Sequence, residues 1–232
     1  EIVEDNAHGL FGAYQRRPLG SFGAMSALSF HETKNITCGE GGALVLNKRS
    51  LTRRAEIIRE KGTNRSQFFR GEVDKYSWED IGSSYVLSDL LAAFLCSQLE
   101  NHEAIQSLRR QVWLRYHAAL SGDAARWGVG LPVIPPDCDP AYHLYYLILP
   151  DEAARDGLMA HLKAAGISAV FHYLPLHLSP FGMRYGCKKG SLPVTENLSG
   201  RLLRLPFYPE LTAVDQERIV TEIGRFMGGA GR

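Results

Sequence analysis

The chain has 232 residues, 45% of them hydrophobic and 22% charged, with a formal net charge of +1. That is enough apolar material for one core or two small ones, and too little excess charge to draw nucleic acid or an anionic membrane. No apolar run approaches the roughly 20 residues of a membrane-spanning helix. Glu1-Ile2-Val3-Glu4 shows neither the basic region nor the apolar core of a signal segment. Cys38, Cys96, Cys138 and Cys187 are scattered without a C-x-x-C pair, and read as the reduced thiols of a cytoplasmic protein.

Taken in order, Ile2 and Val3 end a short apolar strand that delivers Asp5, with His8 three positions on. Leu10 to Phe22 is turn-rich, with Gly12, Pro18 and Gly20, and predicts a loop or short hairpin. Ala24–Phe30 and Gly42–Asn47 read as strands, joined through Ser29-Phe30-His31-Glu32-Thr33-Lys34-Asn35 and the glycine-rich turn Cys38-Gly39-Glu40-Gly41-Gly42. Ser50–Gly62 predicts a helix capped by Ser50, with Leu51, Ala55 and Ile58 on one face. From Thr63 to Trp78 the periodicity dissolves. Arg65, Arg70 and Lys75 alternate there with Phe68, Phe69, Tyr76 and Trp78, as a solvated loop or as a lid over an anionic nucleotide-sugar.

Gly82-Ser83-Ser84-Tyr85 leads into a helix over Val86–Glu100 that Ser84 or Ser88 caps, and a long amphipathic helix follows over Ala104–Leu120. The domain crossover falls inside or just after that helix, dividing the chain into 1–120 and 121–232. Pro132, Pro135, Pro136 and Pro140 mark a stiff connection rather than an element. Beyond it come a strand over Tyr142–Leu149, a helix over Asp151–Ala165 closed by Gly166, and a strand over Ile167–Phe171. Helices over Thr195–Leu203 and Ala213–Met227 and a frayed end at Gly228–Arg232 complete an α/β chain.

The chemistry concentrates at two strand ends. Burial pushes a lysine toward its neutral, nucleophilic amine, the form that Schiff-base chemistry with an aldehyde cofactor needs. Carboxyl groups at the ends of parallel strands face the crevice where α/β proteins bind ligands. An acid such as Asp5 keeps a pyridine nitrogen protonated, and a lysine such as Lys34 holds the aldehyde, as pyridoxal phosphate enzymes require. Each residue alone also reads more plainly, Lys34 as a surface lysine in a turn and Asp5 as a cap or turn residue. His172, Tyr173 and His177 lack the spacing of a zinc site.

Together, Val3-Glu4-Asp5-Asn6-Ala7-His8-Gly9 and Ser29 to Gly42 resemble the DegT/StrS group of sugar aminotransferases. So do Asp80 to Tyr85, Ser88 to Ala93, Val170 to His177 and Leu203 to Leu211. The resemblance runs along nearly the whole chain. It implies a type I aminotransferase-like fold, pyridoxal 5'-phosphate as cofactor, and a homodimer with shared active sites. It further implies that Lys34 holds the cofactor and moves the proton, Asp5 pairs with the ring nitrogen, His8 approaches the ring's 3-oxygen and Ser29 bonds the phosphate. Ser84 completes the phosphate site of the partner subunit; the family's usual residue there is Asn, and Val86 replaces an arginine of the same motif. His31, Tyr173 and His177 are the implied substrate contacts, although Ser83 and Ser84 also read as simple caps and His177 as a buried histidine.

The Gly82-Ser83-Ser84-Tyr85 wording implies a dTDP-4-keto-6-deoxyhexose as substrate, L-glutamate as amino donor and a place in surface-glycan synthesis. In that family a large part of the cofactor domain precedes the position of Glu1, so the chain is expected to be about the C-terminal three fifths of a member. The alternative is a catalytically inactive fragment that serves as a dimerisation or scaffold module.

Overall fold

The computed structural model describes residues 1–229, which form two compact units. The first comprises Glu1–Glu103 with Pro136–Ala141, and the second Ala104–Pro135 with the chain from Tyr142 onward. The sequence reading divides the chain after 120; the contacts divide it at Ala104, in the first turn of the long helix.

In the first unit, β1 (Val3–Asp5) runs parallel to β4 (Met25–Ser29), which pairs antiparallel with β5 (Gly42–Leu46). The turn-rich stretch forms the hairpin β2 (Ala13–Tyr14) and β3 (Arg17–Pro18). A third strand, β6 (Cys138–Asp139), joins it through Ala13 and Tyr14. The proline-rich connection therefore does hold an element: two residues between Pro136 and Pro140 retain the N–H groups that a ladder needs.

Arg49–Leu51 is a short 3-10 turn leading into α1 (Thr52–Arg59). Ser50 lies inside that turn and does not cap; Leu51 holds the cap position without a side-chain bond. A five-residue helix, α2 (Arg65–Phe69), occupies the stretch without periodicity. Asn64 anchors it by accepting from Ser77 N at 2.7 Å and donating to Glu79 Oε1 at 2.7 Å. α3 (Asp89–Glu100) starts at Ser88, whose hydroxyl accepts from Leu91 N at 3.4 Å.

α4 (His102–Ala124) opens the second unit, whose sheet is antiparallel in the order β7 (Tyr146–Ile148), β9 (Leu202–Arg204), β8 (Val170–Phe171). Over it pack α5 (Glu152–Ala164) and α7 (Pro193–Arg201), with α6 (Pro180–Met183) in the segment between β8 and α7 and α8 (Ala213–Gly229) against α5. Asp151 caps α5 by accepting from Ala154 N at 2.8 Å, and Gly166, at φ +73°, closes it in the left-handed region open to glycine. Leu203 belongs to the central strand rather than to the preceding helix. Its three residues, Leu202, Leu203 and Arg204, are too few for a period that tells a strand from a helix end. The carboxyl end expected to fray begins at Gly228; Gly228 and Gly229 are helical, and the remainder lies outside the described residues.

One core fills the second unit, with Val112, Tyr116 and Leu120 from α4, Leu158 and Leu162 from α5, and Leu147, Leu203 and Ile223 from the sheet and α8. Full burial of each leucine is worth about 1.5–3 kcal/mol. Arg109 of α4 is buried in the same unit, where it donates to the carbonyls of Tyr142 (3.0 Å) and His143 (2.6 Å) and lies 5.1 Å from the Phe207 ring centre. Burial pulls its guanidinium down to about 10, so it stays charged at neutral pH.

Candidate active site

Residues paired across β1, β4 and β5 point to one side of the sheet. Asp5 pairs with Ala27, and Ser29 stands two residues further along β4, on the same face. Because β1 and β4 are parallel, their carboxyl ends share one edge, and the acid and the hydroxyl both stand there. Glu4 points to the opposite face, where it accepts from Gly23 N (2.6 Å), Phe22 N (2.6 Å) and Gly20 N (2.8 Å). Those bonds, Gly23 foremost, hold it below the ordinary carboxylate range. Of two adjacent acids, one pins a loop and the other is left at the edge.

Beyond Ser29 the connector doubles back. Phe30 N donates to Gly41 O at 2.8 Å, Cys38 N to Phe30 O at 2.9 Å, and Glu32 N to Gly39 O at 2.8 Å. Lys34 N donates to His31 O at 2.9 Å, closing a tight turn. Asn35 and Ile36 behind it are buried, and Asn35 Nδ2 donates to Ala141 O at 2.6 Å. The turn is thus bolted to the unit directly after the lysine, a role that sequence reading missed. Lys34 is half-buried, and among the described residues no hydrogen bond or ion pair engages its amine.

His31 Nδ1 lies 2.9 Å from Thr33 Oγ1 and 3.2 Å from Thr33 N, and Nε2 is 3.7 Å from Glu40. His8 is exposed, in the turn that follows β1. Ser84 belongs to another neighbourhood of the unit, on a bridge to Glu60 and in the wall of a cavity with Lys61, Arg65 and Tyr76.

Tyr173 and His177 lie in the second unit. Tyr173 is exposed, with the Arg204 guanidinium 5.6 Å from its ring centre. His177 takes the buried, hydrogen-bonded position that was one of its two readings. Its side chain is only 8% exposed, and Nε2 donates to Glu196 Oε1 at 2.9 Å. That bond, together with donation from Gly190 N, holds the Glu196 carboxyl below its ordinary range. As placed, His177 fastens the segment ahead of α7.

Asp5 and Ser29 stand at the carboxyl ends of a parallel strand pair, and Lys34, whose amine no hydrogen bond or ion pair engages among the described residues, follows Ser29 by five positions. The sequence profile of the DegT/DnrJ/EryC1/StrS aminotransferases matches residues 1–224. The chain belongs to this family. A DegT-family relative, dTDP-3-amino-3,4,6-trideoxy-alpha-D-glucose transaminase of Streptomyces venezuelae, is 34% identical over 224 residues, covering 96% of this chain and 55% of the relative. The crystal structure of a family aminotransferase from Brucella abortus superposes with a TM-score of 0.84 at 33% identity, over 98% of this chain and 57% of that one. S. venezuelae DesV, solved in complex with a ketimine intermediate, gives 0.85 at 33%, over 98% and 58%. The chain therefore spans 55% to 58% of the length of these relatives.

The fold is that of the type I aminotransferases, and the DegT family works with pyridoxal phosphate. The residues present fit that group. Ala7 N donates to Asp5 Oδ1 at 3.1 Å, which leaves the other oxygen for a ring N–H. The Ser29 hydroxyl has only a long contact from His31 N, 3.4 Å, and the Lys34 amine is unengaged among the described residues.

Proposed function

We propose that this chain carries the catalytic lysine of a nucleotide-sugar aminotransferase. The reaction moves an amino group from L-glutamate to dTDP-4-keto-6-deoxy-D-glucose, giving dTDP-4-amino-4,6-dideoxy-D-galactose for a surface glycan. The observation that carries the reading is the sharing of one sheet face by Asp5 and Ser29 at parallel strand ends, five residues before Lys34. The Gly82-Ser83-Ser84-Tyr85 motif supports the choice of sugar.

Pyridoxal phosphate supplies, when bound, the aldehyde that carries the amino group and a ring that takes up electrons. Lys34 Nζ removes the proton from the amino-bearing carbon of the donor and returns it on the acceptor side. The Asp5 carboxylate holds the proton on the ring nitrogen. The Ser29 hydroxyl donates to the phosphate, and His8 approaches the 3-oxygen. His31 and Tyr173 contact the sugar nucleotide. Ser84 of the partner subunit donates to the same phosphate, in a cytoplasmic homodimer. Support for the dimer comes from α3, which buries none of its residues and leaves Leu90 85% and Phe94 54% exposed. That face equally suits the second reading, an inactive dimerisation module.

Substitutions in the whole enzyme decide between them. Lys34→Ala abolishes both borohydride-trappable cofactor and turnover; trapping at another lysine with normal turnover overturns the assignment. Asp5→Asn keeps cofactor bound and slows proton removal by orders of magnitude, and near-normal turnover would reduce Asp5 to a turn residue.

A further inference from the structure

Residues 137–141 lie far along the chain from Asp5 and Lys34, yet the turns that carry both are tied to them. The segment lies against β2: Gln15 N donates to Asp137 O at 2.8 Å, Cys138 pairs with Tyr14, and Asp139 pairs with Ala13. On the lysine side, Asn35 is buried and donates to Ala141 O. On the acid side the tie runs through two glycines. Asn6, buried directly after Asp5, donates its N–H to Ala27 O at 3.0 Å. Gly9 N then donates to Asn6 O at 3.2 Å, and Gly12 N to Gly9 O at 2.8 Å.

Gly12 abuts Ala141, and the fit leaves no room for a side chain. A Cβ on Gly12 would stand 3.0 Å from Gly9 O, 3.0 Å from Leu19 Cδ1 and 3.3 Å from Ala141 N. One on Gly9 would stand 2.1 Å from Asn6 Oδ1. Ala141, itself buried, is thus met from two directions: Asn35 takes its carbonyl, and Gly12 lies against its nitrogen. Close-packed interiors pass small displacements on to their neighbours. A shift of Ala141 therefore reaches the turn after Asp5 and the turn bearing Lys34 together.

We propose that Asn35 and Gly12 are positioning residues, which fix the placement of the Asp5 and Lys34 turns relative to each other by referring both to Ala141. Neither touches the reacting atoms. The proposal rests on the reading of Asp5 and Lys34 as the catalytic pair. Displacing a reacting group by about 1 Å costs roughly 100-fold in rate, so one common anchor protects the geometry at both ends.

The test uses the whole enzyme and two substitutions. Asn35→Asp keeps the side-chain shape and removes the donor to Ala141; Gly12→Ala adds one methyl group at the abutment. Amide exchange, read without cofactor, follows Gly9 on the acid side and Lys34 on the lysine side. Each variant is expected to raise exchange at both amides about tenfold while Leu203 keeps its protection. A rise confined to the substituted side, or no rise at either amide, overturns the common anchor. In the half-reaction with L-glutamate, the maximal rate of Asn35→Asp should fall roughly 10- to 100-fold, with the half-saturating concentration within about twofold. An unaltered rate despite raised exchange overturns the positioning role. Glutamate turnover by Lys34→Ala, or none by the unaltered enzyme, defeats the aminotransferase reading instead, and the exchange result still decides the anchor. If Asn35→Asp fails to fold, Gly12→Ala alone carries both measurements, with the same outcomes.

Discussion

Leu147, Leu149, Leu158, Leu162 and Leu203 of the second unit are at most 1% exposed, whereas Leu44, Trp78, Ile81, Leu90 and Phe94 of the first are all more than half exposed. The two units therefore hold their apolar residues on different terms. The second unit gathers its leucines into one core, while the first, which carries Asp5, Ser29 and Lys34, leaves these five large side chains at its surface. The first unit's strand ends and turns are held by local hydrogen bonds, such as Glu4 on three amides and Asn35 on Ala141. Damage to the two units should differ accordingly in size and in kind.

The largest effect is expected in the core. Leu158→Ala should destabilise the second unit by about 3 kcal/mol in chemical denaturation; a loss under 1 kcal/mol would mean that the core relaxes around the gap and the contrast is weaker than burial suggests. Next comes Arg109→Met, which keeps the apolar stem but strips the donors from two carbonyls. It should cost about 2 kcal/mol, and a neutral result would show that water reaches Tyr142 and His143.

Acid separates the units more finely. Glu196 in one and Glu4 in the other are both held below the ordinary 4.5. A depressed carboxyl contributes stability that is present above 4.5 and is lost as pH falls through the folded-state value. Amide exchange at Gly190 and Leu192, and at Gly20 and Gly23, should rise only below that point. Glu196→Gln should remove the pH dependence at the first pair and leave the second untouched; a joint change would show that the two loops respond as one. The smallest effect belongs to Leu90→Ser, expected within about 0.5 kcal/mol for an exposed site in the isolated chain. A larger loss at high protein concentration would reveal that a second copy covers α3.

Much of this was legible in the chain because the signals are short-range. Asp151 and Gly166 bracket α5, Ser88 starts α3, and the apolar runs about Ala27 and Leu44 are strands. Failures follow long-range pairing. Leu203 was indistinguishable from a helix end until its ladder with Leu147 was in view. α2 carries no apolar stripe and depends on Asn64 bonding across to Ser77 and Glu79. The partner of His177, Glu196, lies 19 positions away, and no local signal names it. The strand-end pair itself was readable, since Asp5 and Ser29 each sit at the close of an apolar run.

The bond from Asn35 to Ala141 also sets an order in time. A ribosome releases Ala141 106 positions after Asn35, which at about 5–20 residues per second is roughly 5–20 s of translation. Until then the turn bearing Lys34 has no bolt, and β2 lacks the partner strand that arrives with Cys138 and Asp139. The lysine is made early and seated late. A nascent chain paused before Pro136 would already have its lysine, with the clasp that positions it still inside the ribosome.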